Sequence, residues 1–317
     1  MVSALTAPAQ QLRELIAQSR DRAILLPGVH DALSAKIFQQ QSAECLFLSG
    51  FGVSASFLGA PDAGILTLCE MEDTARRVVN AVEGKIPVLV DGDTGYGGCS
   101  NMRRAIRGLA RAGAAAISIE DQIFPKKCTY SAGENGAAVV SRSASIARIK
   151  TALAAAKEAY EQDGNDVLII ARSDCRASEG LEQAISRCLE YEELGADIVY
   201  AENLQSPEEY QTLRGSLAPT TPTILAQVQL NDPNSEQRLY SLEEVHQLGY
   251  NLALFGVTAL QATVHALQET ASAMRRHQGI LPGSNDNQSP SLSSFSNLKT
   301  VVGFPELEDF EREYFCE

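Results

Sequence analysis

Short apolar runs recur along the chain, each ending in a turn and followed by a longer amphipathic stretch. They are AILLPG (23–28), CLFLSG (45–50), IPVLVDGD (86–93), AAAISIED (114–121), DVLIIARSD (166–174), DIVYAEN (197–203), PTILAQV (222–228) and NLALFGV (251–257). Runs this short and this rich in Val, Ile and Leu suit parallel strands buried on both faces. The intervening segments, 31–41, 67–83, 100–112, 143–161, 180–194, 206–214, 241–248 and 258–277, carry helical spacing. One junction shows the punctuation clearly: AISRCLEYEEL, a stop at Gly195, then ADIVYAEN, which is a helix, its C-terminal glycine and a strand. Eight β-then-α units in series predict a closed (β/α)8 barrel, the TIM-barrel architecture. A doubly wound sheet would carry a Gly-rich phosphate turn after its first strand, and no GxGxxG follows residues 23–28.

The two ends of the chain read differently. The opening, MVSALTAPAQQLRELIAQSRDR, is an amphipathic helix with Arg13, Glu14, Arg20 and Asp21 in place of the apolar run of a secretion signal. Residues 279–298, GILPGSNDNQSPSLSSFSNL, have the Ser/Asn/Pro/Gly composition of a flexible linker. VVGFPELEDFEREYF beyond it is amphipathic again. The expected organisation is therefore a catalytic barrel over 1–278, a linker over 279–298, and a C-terminal helical extension over 299–317 that docks on its own subunit or a neighbour.

Composition narrows the function classes. With 317 residues, 44% of them hydrophobic, the chain can build one large core. Lys+Arg 26 against Asp+Glu 40 gives a net charge of −14, so there is no basic stripe to displace counterions from a phosphate backbone, and nucleic acid is not an expected partner. No apolar stretch reaches the length of a membrane span. The cysteines at 45, 69, 99, 128, 175, 188 and 316 form no CxxC pair, which fits reduced thiols in a cytoplasmic protein.

In a barrel of this kind, chemistry sits at the C-terminal ends of the strands. Strand three ends in Asp91-Gly92-Asp93, strand four in Glu120-Asp121, strand five in Arg172-Ser173-Asp174 and strand six in Glu202-Asn203. Carboxylates crowded on one rim repel one another unless a cation neutralises them, and oxygen ligands without His favour Mg²⁺ or Mn²⁺ over zinc. The alternative is that each carboxylate merely caps the helix that follows; four strand ends together favour a site. Gly92 lets Asp91 and Asp93 point the same way. The loop FPKKCTYSAGENGAAVVSR (124–142) is long for a compact barrel and reads as a lid or binding loop hinged at Gly133 and Gly136. It sets Lys126 and Lys127 beside Cys128, a placement that favours thiolate; the plainer reading is two solvated lysines and an incidental cysteine. Ser49-Gly50-Phe51 at the end of strand two offers a hydroxyl and backbone N–H groups to a carboxylate or enolate oxygen. His30 is expected to be a structural hydrogen-bonder.

In this order PGVHDALSAK, LFLSGFGVSAS, PVLVDGDTGYG, AISIEDQIFPKKC, IIARSDC and GADIVYAE resemble the isocitrate lyase/phosphoenolpyruvate mutase superfamily over about residues 10–275. The resemblance implies a Mg²⁺ site on Asp91, Asp93 and Glu120, with Asp62 nearby, and carboxylate binding by Ser49, Gly50 and Phe51, with Lys127, Arg172 and Glu202 also facing the substrate. It implies a small carboxylic-acid substrate, an enolate or aci-carboxylate intermediate, and a homotetramer that exchanges C-terminal helices. Lyase members carry Lys-Lys/Arg-Cys-Gly-His in the strand-four loop, whose cysteine exchanges a proton with the carbanion; phosphonomutase members carry Lys-Thr-Asn-Ser. Here Lys126-Lys127-Cys128 matches the lyases, while Thr129-Tyr130 replaces Gly-His, with Tyr130 placed to take over the imidazole's hydrogen bond. After strand seven the chain reads Gln227-Val228-Gln229 where members that hold succinate's far carboxylate show Asn, so the likeness does not extend to an isocitrate or methylisocitrate subsite. The expected function is a carbon–carbon lyase of a 2-hydroxy or 2-oxo dicarboxylate or tricarboxylate. Oxaloacetate decarboxylation or hydrolysis, phosphonate chemistry, and a barrel that only binds an organic acid are the alternatives.

Overall fold

The computed structural model describes residues 7–130, 133, 136–230, 238–279 and 292–315. In chain order the elements are α1 (Pro8–Gln18), β1 (Ile24–Val29), α2 (Ala32–Gln40), β2 (Leu46–Leu48), α3 (Gly50–Val53) running into a π-turn, α4 (Leu68–Ala81), β3 (Val88–Asp91), α5 (Cys99–Arg111), β4 (Ala116–Glu120), α6 (Arg142–Asp163), β5 (Leu168–Ser173), α7 (Arg176–Glu179), α8 (Leu181–Glu193), β6 (Ile198–Ala201), α9 (Pro207–Ser216), β7 (Ile224–Gln227), α10 (Leu242–Gln247), β8 (Leu252–Phe255), α11 (Thr258–Arg276), α12 (Phe295–Val302) and α13 (Phe304–Tyr314). Each expected strand is present. β2 is shorter than the run 45–50 because Ser49 leaves the sheet and caps α3, its Oγ accepting from Gly52 N–H at 3.1 Å.

All eight strands are parallel, in the order β6-β5-β4-β3-β2-β1-β8-β7. Val199 N–H donates to the Pro222 carbonyl at 3.0 Å beside a parallel bridge between Val199 and Thr223, so the two outer strands meet and the sheet rolls into a nearly closed barrel. Strand alternation then sorts the side chains. Ile24, Leu26, Phe47, Leu89, Ala116, Leu168, Ile170, Ile198, Tyr200, Ile224, Ala226, Leu252 and Leu254 fill one cluster inside the barrel. Their neighbours, such as Leu48, Val90, Ile117, Ile119, Ile169 and Val199, pack outward with the helices.

Ala9, Leu12 and Leu15 of α1 belong to the inner cluster. This helix also lies against the N-terminal ends of the strands: Asn251 Nδ2 donates to Ser19 Oγ at 2.7 Å, and Arg13 pairs with Asp166. The lower mouth is thereby plugged, which leaves the C-terminal mouth for a site. On four strands a polar residue comes two steps beyond an inward apolar one, Phe47 to Ser49, Leu89 to Asp91, Ile170 to Arg172 and Tyr200 to Glu202, while on β4 polar Ser118 precedes Glu120.

The chain forms two compact units, residues 1–258 and 259–317. In the second, α12 and α13 are separated by Gly303 at φ 90°, and Lys299 pairs with Glu308 at 3.1 Å. α12 begins within the stretch expected as linker; residues 280–291 of that stretch lie outside the described residues. The six described cysteines are unpaired, and no helix among the described residues is long and apolar enough to cross a membrane.

If the α1 plug holds the lower barrel together, Leu12→Ala, at a fully buried position, should cost about 2–5 kcal/mol. Urea unfolding followed by circular dichroism measures it, and an unchanged midpoint would show that α1 is not integral to the core.

Candidate active site

Asp91 ends β3 on the inward face, and its carboxylate accepts from two backbone groups, Gly50 N–H at 3.2 Å and Asp93 N–H at 3.0 Å. A methyl group at Gly50 would come within 2.8 Å of Asp91 Oδ2 and 3.1 Å of Asp93 Oδ1, so both carboxylates converge over that glycine. Gly92 between them has no room for a side chain, since a Cβ would lie 2.7 Å from Ile117 Cγ2 and 2.8 Å from the Ser118 carbonyl. Asp93 then turns at φ 50°, a conformation that Asp tolerates better than most residues.

Lys126 folds back from the loop after β4 into this corner. Its ammonium pairs with Asp93 and, at 2.8 Å, with Asp62. Burial pulls the Lys126 ammonium down, but Asp93, Glu120, Asp91 and Asp62 outweigh it and hold it well above its usual range. The lysine is therefore spent on carboxylates rather than standing beside Cys128. Lys127 is exposed, and Cys128 is half-buried with no hydrogen bond to its thiol among the described residues.

Glu120 ends β4 and is buried. Arg172 Nη2 lies 3.4 Å from its Oε2, while its Oε1 is buried without a hydrogen-bond partner. Arg172 is gripped mainly by Asp174, through Nε at 2.6 Å and Nη2 at 2.9 Å, and lies 3.7 Å from Glu202 Oε2. Tyr200 lies beneath the guanidinium, 5.9 Å from its ring centre. Tyr130 reaches in from the loop, its OH donating to Glu202 Oε1 at 2.7 Å. Burial raises Glu120 and Glu202 above the ordinary carboxylate range, with Arg172 opposing in both. Burial and then Glu202 push the Tyr130 phenol well above its usual range.

The geometry thus brings together Ser49, Gly50, Asp62, Asp91, Asp93, Glu120, Lys126, Arg172, Tyr130 and Glu202. Phe51 lies half-buried in α3. His30, expected to be structural, is buried, with Nε2 3.7 Å from Asp31 and Nδ1 unpartnered. Gln227 is taken up by the backbone of Tyr240, donating to its carbonyl at 3.0 Å and accepting from its N–H at 2.6 Å.

Residues that the strand-end reading underused also support the site. Asp121 accepts from Ser173 Oγ at 2.8 Å, Asp174 N–H at 2.8 Å and Arg187 at 3.1 Å. Gln122 donates to Asp174. Asp121 was visible as a strand-end acid, but no local pattern marks its partners, which lie on other elements.

The donor set suits a hard cation. Asp62, Asp93, Glu120, Asp174 and Glu202 face only Lys126 and Arg172 in the described ion pairs of this corner, Asp91 is met by backbone N–H groups, and one Glu120 oxygen is unsatisfied. No three His, Cys or acidic side chains among the described residues are grouped to hold one ion by themselves. A Mg²⁺ ion keeps several of its waters and needs only one or two carboxylates directly, so this surplus of acidic oxygens suits it without a three-residue cage.

A family model described as phosphoenolpyruvate phosphomutase matches residues 12–275. The 2,3-dimethylmalate lyase of Eubacterium barkeri is 30% identical over 306 residues, covering 96% of this chain and 98% of that protein. A solved structure of oxaloacetate acetylhydrolase with 3,3-difluorooxalacetate superposes with a TM-score of 0.84 at 29% identity, over 98% of each chain. Phosphonopyruvate hydrolase in complex with oxalate and Mg²⁺ does so at 0.79 and 26% identity, over 98% of this chain and 100% of that one.

Burial, opposed by Lys126 and reinforced by Asp91 and Asp62, raises Asp93 from 3.8 to about 6. A carboxyl raised on folding favours the fold below its unfolded value, and that contribution is lost as pH rises through the folded value. The stability of chelated wild type relative to Asp93→Asn should therefore fall by ~1–3 kcal/mol between about pH 4.5 and about pH 7. Urea titrations in EDTA at both pH values measure it; a flat difference would mean that Asp93 titrates as it does in water.

Proposed function

This chain belongs to the phosphoenolpyruvate phosphomutase family, within the isocitrate lyase/phosphoenolpyruvate mutase superfamily of lyase-type enzymes, and from that premise we propose that it is a Mg²⁺-dependent carbon–carbon lyase of a small 2-hydroxy or 2-oxo acid. The observation that carries the proposal is the excess of buried carboxylates over cations around Gly50. Asp91, Asp93 and Glu120 would hold the ion, with Asp62 behind them. When bound, Mg²⁺ supplies positive charge to the substrate's 2-oxygen and carboxylate.

The chain's own groups do the rest. The Phe51 N–H and the Ser49 hydroxyl bind the carboxylate next to the reacting bond, joined by the Gly50 N–H once it turns from Asp91 to the substrate. Arg172 balances negative charge as the bond breaks. Glu202, with its proton affinity raised by burial and held in place by Tyr130, accepts the proton of the 2-hydroxyl. Cys128 delivers a proton to the departing carbanion. Among the described residues Gln227 is committed to Tyr240 and Arg238 to Glu244, which favours a dicarboxylate over a tricarboxylate needing a third charge partner near strand seven.

The second reading is decarboxylation or hydrolysis of oxaloacetate through the same enolate, favoured by Thr129-Tyr130 in place of Gly-His and by the hydrogen bond from Tyr130 to Glu202. We further propose a cytoplasmic homotetramer with exchanged C-terminal helices; exposed Phe295, Leu298, Leu307, Phe310 and Phe315 are the apolar groups such an exchange would cover.

Isocitrate, methylisocitrate, dimethylmalate, oxaloacetate and phosphonopyruvate, each with Mg²⁺ and read by product mass, test the reaction. EDTA should abolish turnover and Mg²⁺ restore it, whereas full activity of metal-free protein would sink the metal reading. With the best substrate, Cys128→Ser should lose roughly a hundredfold in kcat with little change in KM. Near-normal kcat in Cys128→Ser alongside a large loss in Tyr130→Phe would transfer the assignment to the second reading. Light scattering at micromolar concentration should give a multiple of 34.1 kDa; a species of that mass alone would remove the tetramer.

A further inference from the structure

Gln122 follows the two acids at the end of β4 and is buried, yet the chemistry above makes no use of it. Both ends of its amide are engaged. Nε2 donates to Asp174 Oδ2 at 2.5 Å, and Oε1 accepts from Lys127 N–H at 2.9 Å. Asp174 is the carboxylate that grips Arg172 in bidentate fashion, and Lys127 directly precedes Cys128. One side chain therefore spans from the guanidinium's partner on the β5 end to the segment that carries the thiol.

The mount of that side chain is rigid. Arg148 Nη1 donates to the Gln122 carbonyl at 2.9 Å and to the Glu120 carbonyl at 2.6 Å. Gln122 forms an antiparallel bridge with Val139, Ile123 N–H donates to the Ala138 carbonyl at 3.0 Å, and Val140 N–H donates to the Asp121 carbonyl at 2.8 Å. Arg187 Nη2 holds the Val140 carbonyl at 3.0 Å as well. Both ends of the loop are thus tied to the end of β4, and among the described residues the Gln122 amide links that end to the Cys128 segment.

We infer that Gln122 is a positioning residue that sets Arg172, through Asp174, and the Cys128 segment, through the Lys127 amide, in fixed relation to each other. An amide is needed because the two tasks are opposite: one end must donate to a carboxylate and the other must accept from a backbone N–H. The inference rests on the proposed lyase reading for what Arg172 and Cys128 do, but the bridge itself does not.

Two substitutions separate the halves. Gln122→Glu keeps an acceptor for Lys127 N–H but loses the donor and sets a negative charge against Asp174. Gln122→Lys keeps a donor toward Asp174 but has no acceptor. Two readouts follow them at about pH 8: hydrogen exchange of the Lys127 amide, and calorimetric affinity for oxalate in the presence of Mg²⁺. Gln122→Lys should speed Lys127 exchange by roughly tenfold or more and leave oxalate affinity within about threefold, while Gln122→Glu should leave the exchange near wild type and weaken oxalate by roughly tenfold. A generally loosened fold would move both readouts in both variants, and that result, like wild-type behaviour in both, would overturn the assignment. If wild-type protein binds no oxalate with Mg²⁺, the lyase reading fails and takes the Arg172 half with it. The exchange arm still decides the loop half, since a Lys127 amide that stays protected in Gln122→Lys refutes the bridge.

Discussion

Asp91, Asp93, Asp62 and Glu120 stand largely out of water at the open end of the barrel, with Lys126 and Arg172 as the cations facing them in the described residues. Charges of one sign gathered where the effective dielectric constant is low repel far more strongly than on a surface. The protein meets that repulsion in two ways. It brings a lysine back from the loop after β4 to sit on Asp93 and Asp62, and it lets Asp93, Glu120 and Glu202 hold protons more tightly than ordinary carboxylates. Neither is a low-energy arrangement for its own sake, because a buried ion pair seldom repays its desolvation. The placement of Lys126 therefore couples the loop to the charge state of the rim: a cation held among these carboxylates would compete with the ammonium that anchors the loop's first turn.

The same rim follows from strand periodicity. In a closed parallel sheet every second residue faces inward, and the lower layers are filled by Leu, Ile, Phe and Ala. A polar residue placed two positions beyond the last apolar one points inward at the upper mouth without any loop to carry it. Asp91, Arg172 and Glu202 are mounted this way and Glu120 two positions beyond inward Ser118, and the register sets Glu120 opposite Arg172 and Arg172 opposite Tyr200. Sites built on strands are held more precisely than sites built on loops. What remains on a loop is Lys126, Cys128 and Tyr130, of which Lys126 and Tyr130 are tied to the rim through Asp93, Asp62 and Glu202.

This explains which parts of the molecule could be read from the chain alone. The strands were legible because eight apolar runs alternate with helical spacing, and the rim carboxylates because they terminate those runs. Two-residue alternation is a local property, so no tertiary knowledge was needed for Asp91 or Glu120. The direction of Lys126 was not legible: adjacency to Cys128 suggested a partner for the thiol, whereas the acids of β3 and the Asp62 segment, distant in sequence, claim it. Gln122 and Arg187 escaped for the same reason, as did the partner of Gln227. Their hydrogen bonds join β4 to β5, α8 to the ends of β4 and the loop, and β7 to Tyr240, and a lone buried amide or guanidinium has no signature apart from such partners.

The exchange of Gly-His for Thr129-Tyr130 can be weighed in these terms. An imidazole can accept a proton near neutrality; a phenol raised well above its usual range by burial and by Glu202 cannot. Tyr130 is therefore a hydrogen-bond donor through the neutral range and holds Glu202 rather than replacing a base. Glu202 itself has the raised proton affinity that a base in this corner needs, with Arg172 restraining the rise. In the proposed reaction the acid–base group of this corner is thus a carboxylate beside a strand end rather than a loop residue. The proposed reaction uses that division: Glu202 would take a proton from a hydroxyl bound at the rim, and Cys128 would return one to the carbanion afterwards.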